Sequence, residues 1–143
     1  MFSSCTRTPD VTSGLAVQLV ATGWRDAGSV SGKNKVVPSA SVKVTNVSDI
    51  TLPVVQVNAV FHRVGEGGEW GTAFINAGSS PLTPGGGTTV TLNSERGYTG
   101  EDPEDLMLTN HQFVDVTVDV FAKYGSHQWT HLAAFAIDRH LLR

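Results

Sequence analysis

Five histidines (His62, His111, His127, His131 and His140) are the residues of this sequence with the widest chemical range. Imidazole ligates transition metals and moves protons near neutral pH. Spacing decides whether two of them can act together. His127 and His131 stand four apart, which on a helix would aim both at one ion. On a strand the same spacing sets them ~13 Å apart along one face, and their surroundings show no helical period. No metal and no cofactor is therefore expected. Asp115 and Asp119 are the paired carboxylates. A hydrolase acting on carbohydrate needs two carboxyls from separate elements flanking a cleft; these two alternate along one segment, as residues of a wet strand face do. Glu101, Asp102, Glu104 and Asp105 lack the Asp-x-Asp-x-Asp-Gly spacing of a calcium loop and read as a solvated acidic loop. There is no Gly-x-Ser-x-Gly elbow, phosphate loop or dinucleotide fingerprint. Cys5 is the only cysteine, so neither an internal disulfide nor a multi-cysteine zinc site can form. It also has no partner to activate it as a nucleophile. No catalytic residue is assigned, and the chain is expected not to be an enzyme.

The aromatic residues carry more promise. Trp24, Trp70, Tyr98 and Trp129 are large amphipathic side chains of the kind that anchor binding surfaces. Trp24 is expected to cap the edge of the core, with a surface position as the alternative. Trp70 and Tyr98 lie beside glycine-rich loops, where exposure is easiest. With Glu101 and Asp102 they make the expected binding patch, formed by the segment 94–112 and the hairpin tip from Gly65 to Trp70. A carbohydrate-binding module would require Trp70 and another aromatic to lie coplanar on one exposed face.

The elements that must position these residues are strands. Residues 1–13 read as a flexible leader and 14–143 as one domain. Leu15 to Ala21 alternates with Leu15, Val17, Leu19 and Ala21 on one face, and 26–34 has the composition of a loop. Ser39 to Thr45 places Ala40, Val42 and Val44 inward against Ser41, Lys43 and Thr45. Asn46-Val47-Ser48 is a turn and, by its letters, a glycosylation sequon. In Val54 to His62, residues Val55, Val57, Ala59 and Phe61 face inward, and Pro53 precedes them where a missing N–H does least harm. Gly65 to Gly68 is a hairpin loop, and 69–75 reads as an edge strand. A glycine turn at 85–87 leads into a strand at 88–92. Segment 94–112 is irregular, with one helical turn at 103–108. In Phe113 to Tyr124 the outward aspartates set the register, so the even positions face inward. Gln128 to Ile137 carries apolar residues on both parities and is expected to be buried on both faces. Seven or eight strands with turns every ~8–12 residues predict an antiparallel, immunoglobulin-like β-sandwich.

Bulk properties agree. The 143 residues suit a single domain, and 40% hydrophobic against 16% charged residues gives material for a core and excludes a disordered chain. The net charge is −3 and no run of Lys or Arg occurs, which argues against a nucleic-acid partner. No stretch approaches the ~18 apolar residues that span a bilayer.

Two resemblances bear on function. Val42-Lys43-Val44-Thr45-Asn46-Val47-Ser48 through Phe61, then Leu82-Thr83-Pro84-Gly85-Gly86 before a strand, resembles the layout of FxLYD-type bacterial immunoglobulin-like domains over residues 36–124. The resemblance implies an extracytoplasmic adhesion, assembly or scaffolding module. Phe2-Ser3-Ser4-Cys5 resembles the end of a bacterial lipoprotein signal, which implies a lipid anchor at Cys5 and a longer precursor. The expected function is a non-catalytic binding or structural module of the bacterial cell envelope, periplasmic and contacting another protein. A carbohydrate-binding module, a carbohydrate hydrolase and a cytoplasmic location are the alternatives.

Overall fold

Strand alternation builds the interior. The computed structural model describes residues 8–142; Cys5, the expected lipidation site, lies outside them. Among the described residues, nine strands and two short helical turns run in the order α1 (Val11–Gly14), β1 (Leu15–Val30), β2 (Lys33–Asn46), β3 (Val55–Arg63), β4 (Gly71–Ala77), β5 (Gly87–Asn93), β6 (Tyr98–Gly100), α2 (Glu104–Thr109), β7 (Val116–Tyr124), β8 (Thr130–Ala136) and β9 (Leu141–Leu142). They form two sheets. One has the order β5-β2-β1-β9, with β6 also pairing β2; the other is β4-β3-β7-β8. The fold is an all-β sandwich.

One core joins the sheets. Ala40, Val42 and Val44 of β2 meet Val55, Val57, Ala59 and Phe61 of β3 and the even positions of β7 from Val116 to Tyr124. All are removed from solvent, as alternation with one wet face requires. The expected inward positions Ala40, Val42 and Val44 of β2, those from Val55 to Phe61 of β3 and those from Val116 to Tyr124 of β7 are buried, and β2 also buries Val36, Val37, Pro38, Ser39 and Asn46.

Several expectations need correction. Among the described residues the strands number nine, close to the seven or eight expected, the short β6 and β9 having only three and two residues; the β1–β9 pairing is the parallel one in otherwise antiparallel sheets. Residues 26–34 are not a loop but the end of a long β1–β2 hairpin, turned at Ser31 and Gly32. A bulge between Leu19 and Ala21 breaks the phase of β1, leaving Leu19 exposed. Trp24 is not at the core edge but wholly buried within it. Strand β8 is not buried on both faces; it is an edge strand, paired only with β7. Part of the expected leader is packed: Val11 is buried, and the Tyr124 hydroxyl donates to the carbonyls of Pro9 and Asp10.

The sequon asparagine is a structural group. Asn46 is buried, its Nδ2 donating to the carbonyls of Ile50 and Leu82 at 2.8 Å each. Its Oδ1 accepts from the backbone N–H and the hydroxyl of Ser48. An amide with both N–H groups engaged in the interior is a turn brace, not a glycan acceptor.

Candidate functional site

The expected patch comes first. Strand β6 pairs with β2 through Val36 and Tyr98, Lys35 and Thr99, and Asn34 and Gly100. Gly97 permits this approach, because a Cβ there would run into the Val36 carbonyl. The pairing turns the Tyr98 ring inward. It stacks on Trp24 at 5.4 Å between centroids, meets Phe113 edge-on at 5.1 Å and tilts against Trp70 at 5.1 Å. Its hydroxyl donates to the Val114 carbonyl at 3.0 Å. The Arg63 guanidinium lies 5.9 Å from the Trp70 ring centre and 5.7 Å from that of Tyr98. Burial pushes the Tyr98 phenol above its usual range, with nearby Arg63 opposing. Trp70 and Tyr98 are thus one aromatic ladder from core to surface, not an exposed pair.

A cavity of about 280 Å³ opens on the solvent side of that ladder. Tyr98, Met107 and Phe113 give it apolar walls, and Asp102, Asn110 and Gln112 its polar groups. Two of the four expected binding residues, Tyr98 and Asp102, therefore share one concavity. Trp70 stands against the Tyr98 ring without lining the cavity, and Glu101 is exposed beside it.

The second candidate surface was not anticipated. It is the outer face of the sheet β4-β3-β7-β8. Register aligns Phe74, Asn58, Phe121 and His131 in one row across its four strands. Phe74 is 58% exposed and Trp129 is 41% exposed, yet the two rings touch edge-on at 6.0 Å. The Lys123 ammonium lies 5.6 Å from the Trp129 ring centre. His131 packs edge-on against Phe121 at 5.2 Å.

Beyond this aromatic row lies a polar cluster. Asp119 of β7 is bracketed by two imidazoles from neighbouring strands. His62 Nε2 is 2.9 Å from Oδ2, and His131 Nε2 is 2.8 Å from Oδ1. His62 Nδ1 is 2.9 Å from the Gly68 carbonyl. The His62 ring thus bridges the Gly68 carbonyl and the Asp119 carboxylate. The cluster ties the β3–β4 loop to the sheet face. Among the described residues no hydroxyl or thiol bonds to either ring. Nor do any three His, Cys, Asp or Glu among them converge to hold a metal.

The carboxylates do not converge either. Asp119 is held by the imidazoles, while Asp115 pairs with Arg139 at 2.6 Å. The signal for this face was present in the outward residues of the 54–62 and 113–124 strands. Their neighbours across the sheet could not be named, because pairing and the inclusion of Phe74 and Trp129 depend on strand order.

No family model matches the chain, and no curated protein matches it. Among solved structures, Northeast Structural Genomics Consortium target SoR45 aligns with TM-score 0.48 at 11% identity, over 89% of this chain and 88% of its own. The solution structure of AT1g01470 from Arabidopsis thaliana aligns with TM-score 0.48 at 16% identity, over 100% and 91%. The ligand binding region of serine-glutamate repeat protein A of Enterococcus faecium aligns with TM-score 0.35 at 16% identity, over 82% and 86%. With TM-scores below 0.5, none of the three brings a fold family or a function to this chain.

Proposed function

We propose that the chain is a non-catalytic binding module that holds another protein on the outer face of the sheet β4-β3-β7-β8. The observation that carries this is the exposed Phe74–Trp129 pair. The core is complete without these rings, so their exposure is not needed for folding. Aromatic anchors ringed by polar groups are what a protein interface concentrates, and here Lys123 flanks one side and the His62–Asp119–His131 cluster the other. A flat sugar platform fits less well. Phe74 and Trp129 meet at 82° rather than lying coplanar, and Trp70 is engaged with Tyr98. The cell-envelope location and the lipid anchor at Cys5 belong to the same proposal, and rest on the Phe2–Cys5 motif and the FxLYD-type resemblance.

The test is photo-crosslinking in the source cells, with a photoreactive residue at Phe74 or at Lys43 on the opposite sheet. A discrete protein adduct from position 74 alone, lost in Trp129→Ala, is expected. Equal adducts from both positions, or retention in Trp129→Ala, overturns the assignment of this face. A glycan array run in parallel separates the carbohydrate reading: strong glycan binding lost in Trp129→Ala would replace the protein partner with a sugar.

A further inference from the structure

The face assigned to the partner ends at a strand edge, and that edge has bonding capacity of its own. Strand β4 pairs only with β3 among the described strands. Along such an edge one residue bonds to the neighbouring strand and the next points its N–H and carbonyl away. Thr72 identifies the set that points away. Its N–H donates to Glu95 Oε1 at 3.1 Å and its hydroxyl to Oε2 at 3.0 Å, and its carbonyl accepts from the Glu95 N–H at 3.4 Å. Phe74 and Asn76 share its parity, so their main-chain groups leave the sheet as well. The Asn76 carbonyl accepts from the Gly78 N–H at 3.0 Å. Among the described residues no hydrogen bond from beyond β3 reaches the Phe74 N–H, the Phe74 carbonyl or the Asn76 N–H. The edge is thus closed by Glu95 at Thr72 and open from Phe74 to Asn76.

Other edges of the sandwich are blunted. A bulge at Leu132 breaks β8, and a bulge between Leu19 and Ala21 breaks β1. Strand β5 carries no exposed large apolar side chain. At β4 the open main chain coincides with an exposed anchor, the Phe74 ring, which Trp129 supports from the sheet side. A carbonyl between two N–H groups at strand spacing is matched by an extended backbone. A helix cannot match it, because its own backbone groups are already bonded within the helix.

We infer that β4 receives an extended strand of the partner protein, bonded to the main chain of Phe74 and Asn76, with an apolar side chain packed on the Phe74 ring. This rests on the reading of the outer face as the partner surface. It adds the conformation of the partner's segment and its limits, the Glu95 block at one end and the turn at Gly78 at the other.

The experiment uses the full chain. In the free protein, hydrogen exchange should be fast at the Phe74 and Asn76 amides and slow at Ala73 and Ile75. In the source cells, p-benzoylphenylalanine is placed at position 74 or at 76 and the adducts are mapped by mass spectrometry. The two positions are expected to mark one partner segment at residues two apart, the repeat of a strand face. Asn76→Pro removes the outward N–H and sets its ring on the edge, while the ladder bonds of Ala73, Ile75 and Ala77 remain. It is expected to abolish the position-74 adduct with the melting temperature unchanged and Trp129 in place. An adduct kept in Asn76→Pro but lost in Trp129→Ala overturns strand addition and leaves the face assignment standing. No discrete adduct from position 74 in the parent chain overturns the face assignment itself. Slow exchange at Phe74 in the free protein, or adducts joining position 74 of two copies, would fill the edge with a second copy and overturn the partner strand. Should Asn76→Pro fail to fold, marks on separate segments from positions 74 and 76 overturn the inference without it.

Discussion

Tyr98 shows how much one residue decides in this protein. Its type and glycine neighbours suggested a surface anchor. Its ring instead closes the gap between Trp24, Trp70 and Phe113, and its hydroxyl meets a carbonyl. A consequence follows for pH dependence. Tyr98 and Tyr124 both titrate above the usual 10.0, each mainly because burial penalises the phenolate. A phenol whose folded-state value is raised stabilises the fold fully below the unfolded value, and that contribution is lost as pH climbs through the folded one. The protein should therefore weaken above about pH 10. Tyr98→Phe should cost about 1 kcal/mol at neutral pH through its lost hydrogen bond, and then decline less steeply in alkali. Urea midpoints from neutral pH to about pH 11 check this; a parallel decline in both proteins would remove Tyr98 as a cause. Trp24 offers a second measurement. It is fully buried, and its Nε1 has no hydrogen-bond partner among the described residues. Trp24→Ala should cost about 3–5 kcal/mol, whereas Trp24→Phe keeps much of the packing and removes the orphan N–H, so it should cost well under half as much.

At the scale of elements, close approach matters as much as periodicity. Strand β6 is only three residues long and has no apolar alternation to reveal it. It exists because Gly97 lets the chain come against β2 where any side chain would meet the Val36 carbonyl. Gly97→Ala is expected to cost about 1–3 kcal/mol, as overpacking does, and to loosen the Tyr98 stack. A fall in melting temperature together with a weaker near-ultraviolet signal would register both; an unchanged protein would show that β6 can shift without cost. Strand β8 teaches the opposite lesson. Its mixed phase suggested burial on both faces, but a bulge at Leu132 of β8, opposite the step from Val120 to Phe121 of β7, resets the pairing so that His131 follows the outer face. Strand β9 has two residues. It was unreadable because its partner Trp24 lies more than a hundred positions away.

Across the whole molecule, a single hydrophobic cluster joins both sheets, so the chain should unfold as one cooperative unit. Far-ultraviolet and near-ultraviolet melting curves are expected to coincide; separated midpoints would mean that one sheet survives without the other. Much of this architecture was legible along the chain. A strict two-residue period in 54–62 and 113–124 determined which side chains enter the core, because strand geometry admits only that assignment. The same period determined the wet faces of these strands. What periodicity cannot carry is the identity of the neighbour across a strand. Strand order and register alone brought Phe74 to Trp129, set His62 and His131 on either side of Asp119, and left Asp102 beside the Tyr98 and Phe113 rings. Each of these is a contact between distant segments, and the energy that selects it belongs to the packed sandwich rather than to any one stretch of residues.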